Sequence, residues 1–307
     1  MVEHVAVLMG GWSAEREVSL ATGRECAAGL RSAGYRVDEV DVDRDVATRL
    51  LSLKPDVCFN ALHGRLGEDG NIQGLLNILG IPYTHSGVTA SALAMNKPQA
   101  KTIFEAYGLV CPEGMVVDSD TAPGDLPFPP PFVVKPVDEG SSVGVTIVRT
   151  GDNREKVAGD IWPHGHHVMV ERFIQGRELT VAVFDGQAHC VTEITSDRGF
   201  YDYDAKYVPG GSRHILPADL PAAITRRALN WAETAYRVLG CRGVARCDFR
   251  FEDTADAADP EGDLYLLEIN TQPGMTPTSL VPEQAQFIGV KFPQLVARMV
   301  EEARCDS

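Results

Sequence analysis

Along the first third of the chain, short apolar runs alternate with segments of helical periodicity, and that alternation predicts an α/β architecture. "HVAVLMGG" (4–11) reads as a strand running into a glycine turn. Ser13 is placed to cap a helix that continues to about Ala33, with Gly34 as its stop. "YRVDEVDV" is the next strand, a short helix follows, and "DVCFNAL" is a third strand that leads into His63 and Gly64. "NIQGLLNIL" is helical and closes at Gly80 and Pro82. To about Ala94 the pattern describes a small parallel-sheet unit with loops at the carboxyl ends of its strands.

The pattern changes near Lys97. Two helical segments lead to the proline-rich linker "GDLPFPPP" (124–131), after which "FVVKP" and "VTIVRT" flank the loop "VDEGSSVG". "HVMVERFI" and "RELTVAVFDGQAHCVTEI" follow as strands, and Asp185-Gly186 is a hairpin turn. Residues 196–213 have little apolar content and read as a long loop, of a length that is usually functional or disordered. A helix from about Pro221 to Leu239, the strands "GVARCDFRF" and "LYLLEIN", and a helix from about Phe292 to Ala303 come last.

A glutamate inside the apolar strand "LYLLEIN" raises the first question of chemistry. A period of two puts Leu264, Leu266, Glu268 and Asn270 on one face and Tyr265, Leu267 and Ile269 on the other. In the preceding strand Arg246, Asp248 and Arg250 alternate with Ala245, Cys247, Phe249 and Phe251. If the two strands pair, Asp248 meets Glu268 and Asn270, a set of oxygen donors suited to Mg²⁺. The competing reading pairs Asp248 with a neighbouring arginine and leaves Glu268 as a loop cap. Lys135 ends a strand just before the glycine-serine loop, whose backbone N–H groups can surround an anion. Lysine and loop together suggest a triphosphate; the alternative is a plain hairpin, and Lys97 alone would be a solvated residue. "GGWSAE" lacks the third glycine of a dinucleotide-binding turn.

Composition narrows the function classes. The chain has 307 residues, 44% hydrophobic and 23% charged, enough for two or three domains and a sizeable core. No apolar run approaches the ~20 residues of a membrane helix, and the N-terminus has no signal-peptide pattern. Seven scattered cysteines without C-x-x-C form neither a disulfide framework nor a zinc site, which fits a reducing cytoplasm. A net charge of −15 argues against nucleic acid and anionic membranes as partners, while an anionic small molecule stays open if basic residues gather locally. "HGHH" at 164–167 reads as a solvated turn.

Five separated segments, "AVLMGGWSAEREVSL", "ALHGRLGEDGNIQG", "VKPVDEGSSVG", "FYDYDAKY" and "LLEINTQPGMTPTSLVP", carry a resemblance over essentially the whole chain. They are similar, in the same order, to the ATP-grasp superfamily and within it to the D-alanine:D-alanine ligases. The resemblance implies a three-domain ATP-grasp fold with an N-terminal parallel-sheet domain. Residues 1–94 would contribute to the substrate site, 95–172 would be the central domain, and 173–307 would carry the metal site and the lid loop. It implies joining of two D-alanines through an acyl phosphate, with ATP and two Mg²⁺ ions, for which Mn²⁺ can substitute, to supply peptidoglycan synthesis.

Residue by residue, the resemblance assigns Asp248, Glu268 and Asn270 to the metals. It assigns Lys97, Lys135 and Lys206 to the phosphates, Glu171 and Ile174 to adenine, and Glu178 to ribose. Glu15 would take the first ammonium, with Ser141 and Tyr207 as its hydrogen-bonded partners that fix the closed loop, and His63 lies toward the carboxylate. Arg246 and the Gly274 N–H match an oxyanion site, and Ser279 and Leu280 the second D-alanine's carboxylate. Two positions depart from the family pattern: Asn96 stands for a common aspartate and Gln272 for a serine. A sister ligase using D-lactate or another second substrate, and a non-catalytic nucleotide-binding protein, remain the alternatives; the oligomeric state is open between monomer and homodimer.

Overall fold

The computed structural model describes residues 2–140, 144–152, 157, 166–195, 211–253, 262–276 and 278–306. Three sheets organise them. The first is parallel, with β1 (His4–Gly10) between β2 (Arg36–Val42) and β3 (Val57–Asn60). Every residue of β1 is buried, as expected of the central strand of a parallel sheet covered on both faces. The connections are α1 (Arg16–Ser32) and α2 (Val46–Leu53), and α3 (Asn71–Leu79) follows β3. The expectation that Ser13 caps α1 is corrected. The helix starts after Glu15, and the Ser13 hydroxyl donates to the His63 carbonyl at 2.6 Å, which ties the helix entry to the loop after β3.

The helices α4 (Val88–Met95) and α5 (Lys97–Ala106) come next, followed by an antiparallel sheet of order β4–β7–β5–β6. Its strands are β4 (Gly114–Asp118), β5 (Phe132–Pro136), β6 (Thr146–Val148) and β7 (His167–Arg172). β4 was not expected: "GMVVD" lies at the sheet edge with most of its residues exposed, so it has no buried face to mark it.

The third sheet is antiparallel, β11–β10–β8–β12–β13, with β9 hairpinned onto β8. It comprises β8 (Arg177–Phe184), β9 (Gln187–Ala188), β10 (Thr192–Thr195), β11 (Arg213–Ile215), β12 (Val244–Glu252) and β13 (Asp263–Asn270). Asp185 and Gly186 both take positive φ, the conformation of a primed hairpin turn. Then α6 (Ala222–Val238) packs across the sheet, and α7 (Leu280–Phe287), an unexpected helix, and α8 (Phe292–Glu301) end the order.

The cores cross these segments. Ala94, Ala100 and Phe104 of α4 and α5 are buried with Leu179, Ile224, Phe249 and Leu266 under the third sheet. Leu295, Val296 and Val300 of α8 are buried with Val5 and Val7 of β1 and Ala27 and Leu30 of α1. The first of these cores sets α4 and α5 against β13.

Strict alternation along β13 fails at one point. Asp248 faces Glu268 across the ladder but Phe249 faces Leu266, so Leu267 is an extra, bulged residue. Leu264, Leu266 and Ile269 enter the core, whereas Leu267 and Glu268 both line a pocket on the opposite side. The expectation that Leu264 and Leu266 share a face with Glu268 and Asn270 is therefore corrected. β12 has no such break on its own strand, and Ala245, Cys247, Phe249 and Phe251 are all in the core, as alternation predicts.

Candidate active site

The pocket between the second and third sheets has an apolar wall of Val133, Val145, Phe173, Ile174 and Leu267. Its polar residues include Lys97, Lys135, Glu171, Glu178, Asp248 and Glu268. Thus seven of the residues singled out in the sequence converge on one concavity, brought from α5, β5, β7, β8, β12, β13 and the turn between β7 and β8. An apolar slot with convergent charges is the ordinary form of a small-molecule site.

Lys97 opens α5, whose N-cap is Asn96: the Asn96 carboxamide accepts the Gln99 N–H at 3.2 Å. The residue that departs from the family's aspartate therefore still caps the helix. The Lys97 ammonium is buried, donates to the Glu139 carbonyl and stands 3.9 Å from Glu268. Burial lowers its pKa, and Glu268 works against that. Lys135 reaches Glu171 Oε2 at 2.5 Å, while the other Glu171 oxygen receives Lys101 at 2.5 Å. Burial would push the Glu171 pKa up, but the two lysines outweigh it and hold it below the usual value. Lys101 was missed in the sequence; its place one helical turn after Lys97 is the signal that could have found it.

Arg250 is a second missed residue. It donates to the carbonyls of Ile174 at 3.2 Å and Gly176 at 2.8 Å and reaches Glu178 at 3.4 Å, so one guanidinium shapes the turn that carries both proposed adenine and ribose contacts. Its alternation with Arg246 and Asp248 was visible in the sequence. Arg246 binds Asp248 through two parallel bonds of 2.8 and 2.7 Å, and Thr180 donates to Asp248 at 2.7 Å. The arginine pairing considered as the competing reading is thus present, and the register with Glu268 is present too. Asn270, opposite Arg246, accepts the Gln272 N–H at 2.8 Å. Two carboxylates and an amide oxygen on adjacent strands are hard donors whose chemistry fits Mg²⁺.

A smaller cavity continues from this pocket and shares Lys97, Glu139 and Glu268 with it, then reaches Glu68, Gly140 and Asn270. Glu68, also missed, accepts the Gly64 N–H at 2.5 Å. Its pKa is raised well above normal by burial and then by the nearby Glu15 carboxylate. Glu15 is buried at the start of α1 beside Gly64, where an added Cβ would sit 3.0 Å from its Oε2. His63, buried next to Thr22 at 3.1 Å, is pushed down to about 4 by burial and is neutral at pH 7. Gln272 donates to the Asn60 carbonyl and accepts from the Asn60 amide at 3.2 Å, stitching the end of β13 to the end of β3.

At the far end, Ser279 is the N-cap of α7, and its hydroxyl accepts the Thr276 N–H at 3.0 Å. Gly274 lies against it: a Cβ there would come within 3.0 Å of the Ser279 hydroxyl. The Leu280 side chain is buried with Ile194, which leaves its backbone at the helix N-terminus for any contact. Ser141, Lys206, Tyr207, residues 196–210 of the long loop and positions 164–165 of the histidine run lie outside the described residues.

Residues 125–301 match the family model for the C-terminus of D-ala D-ala ligase, and residues 45–86 match the model for its N-terminus. The chain belongs to the D-alanine–D-alanine ligase family. A family member from Parvibaculum lavamentivorans is 58% identical over 99% of this chain and 98% of its own length. The ligase of Acidiphilium cryptum is 54% identical over 99% of both. The crystal structure of the Bacillus anthracis ligase complexed with ATP superposes with a TM-score of 0.81 at 31% identity, covering 98% of this chain and 96% of that one. The fold is accordingly the α/β ATP-grasp fold of the D-alanine–D-alanine ligases, with a parallel N-terminal sheet. Among the described residues, no helix is long and apolar enough to cross a membrane.

Proposed function

We infer that this chain joins two D-alanines into D-alanyl-D-alanine at the expense of ATP, for peptidoglycan precursor synthesis in the cytoplasm. The observation that carries the reading is the shared wall of the two cavities: Lys97, Glu139 and Glu268 border both, so a nucleotide beside Ile174 and Glu178 presents its phosphates toward Glu68 and Asn270. We take the three sheets to mark the domains 1–94, 95–172 and 173–307.

In this reading a carboxylate oxygen of the first D-alanine attacks the γ-phosphorus and ADP leaves. The amine of the second then attacks the acyl carbon and phosphate leaves. Lys97 and Lys135 bind ATP phosphates, joined by Lys206; Glu171 and Ile174 hold adenine, and Glu178 the ribose. Asp248, Glu268 and Asn270 would hold Mg²⁺, which when bound beside ATP neutralises phosphoryl charge. Glu15, with Ser141 and Tyr207 as its hydrogen-bonded partners, receives the first ammonium, and His63 lies toward the carboxylate, its neutral ring not repelling that ammonium. Arg246 and the Gly274 N–H face the tetrahedral oxyanion, a contact type whose loss can cost ~10²-fold in rate. The Ser279 hydroxyl and Leu280 N–H, at the positive end of α7, receive the second carboxylate.

The test is one incubation with ATP, Mg²⁺ and equal D-alanine and D-lactate near neutral pH, with ADP and both products measured. D-alanyl-D-alanine should dominate. A mixture led by the ester would replace the second substrate, and nucleotide binding without ADP release would remove the enzyme reading altogether.

A further inference from the structure

The ion cluster around Glu171 holds one more cation than it needs. Glu171 ends near the pocket on β7, and its two oxygens are each met at 2.5 Å, one by Lys101 and one by Lys135. All three side chains are buried, so the cluster carries two positive charges against one negative charge out of water. A buried carboxylate needs a partner, but one ammonium satisfies that need.

The two lysines differ in where they stand. Lys135 lines the nucleotide pocket together with Glu171. Lys101 does not line the pocket, and its ammonium is held by Glu171 and by the Pro112 carbonyl, each at 2.5 Å. Lys101 rises from α5 one turn after Lys97, on a helix packed into the core through Ala100 and Phe104. Its ammonium is therefore held by two acceptors, whereas the Lys135 ammonium stands at the wall of the pocket that an anion would enter. We propose that Lys101 is a positioning residue for nucleotide binding: as the permanent counter-ion of Glu171, it leaves the Lys135 charge available to an ATP phosphate. The inference rests on the reading of Lys135 as a phosphate contact.

Without Lys101, the Glu171 carboxylate would claim Lys135 as its sole counter-ion, and a phosphate would have to compete for it. The deficit would fall on the phosphates and not on the base. The experiment is equilibrium binding of ATP and of adenosine, measured by calorimetry on the full chain. Lys101→Met should weaken ATP about tenfold or more while adenosine changes about twofold at most. Lys101→Arg, which keeps the charge, should stay near wild type. If Lys101→Met does not fold, Lys101→Gln, whose amide still donates to the Pro112 carbonyl, carries the same expectation.

Equal losses for ATP and adenosine, or a Lys101→Arg variant that loses ATP as Lys101→Met does, would overturn the proposal. Lys135→Met separates the two readings. If it loses ATP affinity while Lys101→Met does not, only the role of Lys101 falls; if Lys135→Met binds ATP like wild type, the phosphate role of Lys135 falls and this proposal with it.

Discussion

Asp248 gives its oxygens to Arg246 and Thr180, yet it also faces Glu268 across the ladder. At the scale of single residues the site is built from such double duties. Glu268→Gln keeps the shape and removes the charge that Lys97 and any dication see. Turnover should fall by roughly 10²-fold or more, and a magnesium titration should restore little of it; near-normal turnover at ordinary magnesium would take Glu268 out of the metal set. Arg250→Met should raise the ATP concentration needed for half-maximal rate and leave the D-alanine dependence alone, since Arg250 braces the 174–178 turn and lies over Phe173 on the nucleotide pocket's wall. Steady-state kinetics with each substrate varied would show which dependence moves. Glu268 and Asp248 were legible in the sequence because a charge inside an apolar strand breaks a pattern. Glu68 was not, because a glutamate in the glycine-rich loop "HGRLGEDG" breaks none; its burial beside Glu15 exists only once the loop after β3 folds against the start of α1.

Elements meet across long stretches of chain, and their ends are finished by remote residues. The N-terminus of α4 is an example: the Val88 N–H donates to Asp306, 218 residues away, whose carboxylate also receives Asn77 at 3.1 Å and stands 3.3 Å from Arg242. Asp306→Ala should therefore cost about 1–2 kcal/mol of unfolding free energy, the usual range for a lost helix cap, read as a shift of the urea midpoint. Phe104, fully buried where α5 meets the third sheet, should cost about 3–5 kcal/mol when cut to alanine. That loss should appear in the same urea experiment, and a cost under 1 kcal/mol would mean that α5 is not part of that core. The buried strands and the longer helices were visible from periodicity, to within a few residues at their ends. The bulge at Leu267 was not: an extra residue in one strand depends on the pairing of two, and no period within β13 announces it. β4, β11 and α7 escaped for a related reason, two being exposed edge strands and the third a short helix following a turn.

For the molecule as a whole, acid is the informative perturbation. His63 and His85 are buried, and burial pushes them down to about 4 and about 3, so both are neutral when folded at pH 7. The unfolded chain binds their protons near pH 6.5, before the folded one does. Stability is therefore fully present above that value and is lost as pH falls toward the folded values, by about 3 kcal/mol or more for each histidine. His85 has φ +68, a conformation asparagine tolerates, so His85→Asn should fold and should flatten the stability profile between pH 6.5 and 4 by about one proton; an unchanged slope in denaturant melts would contradict its burial in the neutral form. The sequence by itself determined the α/β class, the strand-borne carboxylates, the lysine before the glycine-serine loop and, through five ordered motifs, the family. These are local matters, set by period, turn chemistry and short spacing. Only the tertiary structure decided that Lys101 backs Glu171, that Glu68 lies beside Glu15, and that Gln272 ties β13 to β3, because each joins side chains from segments whose distance apart is fixed by how the sheets pack.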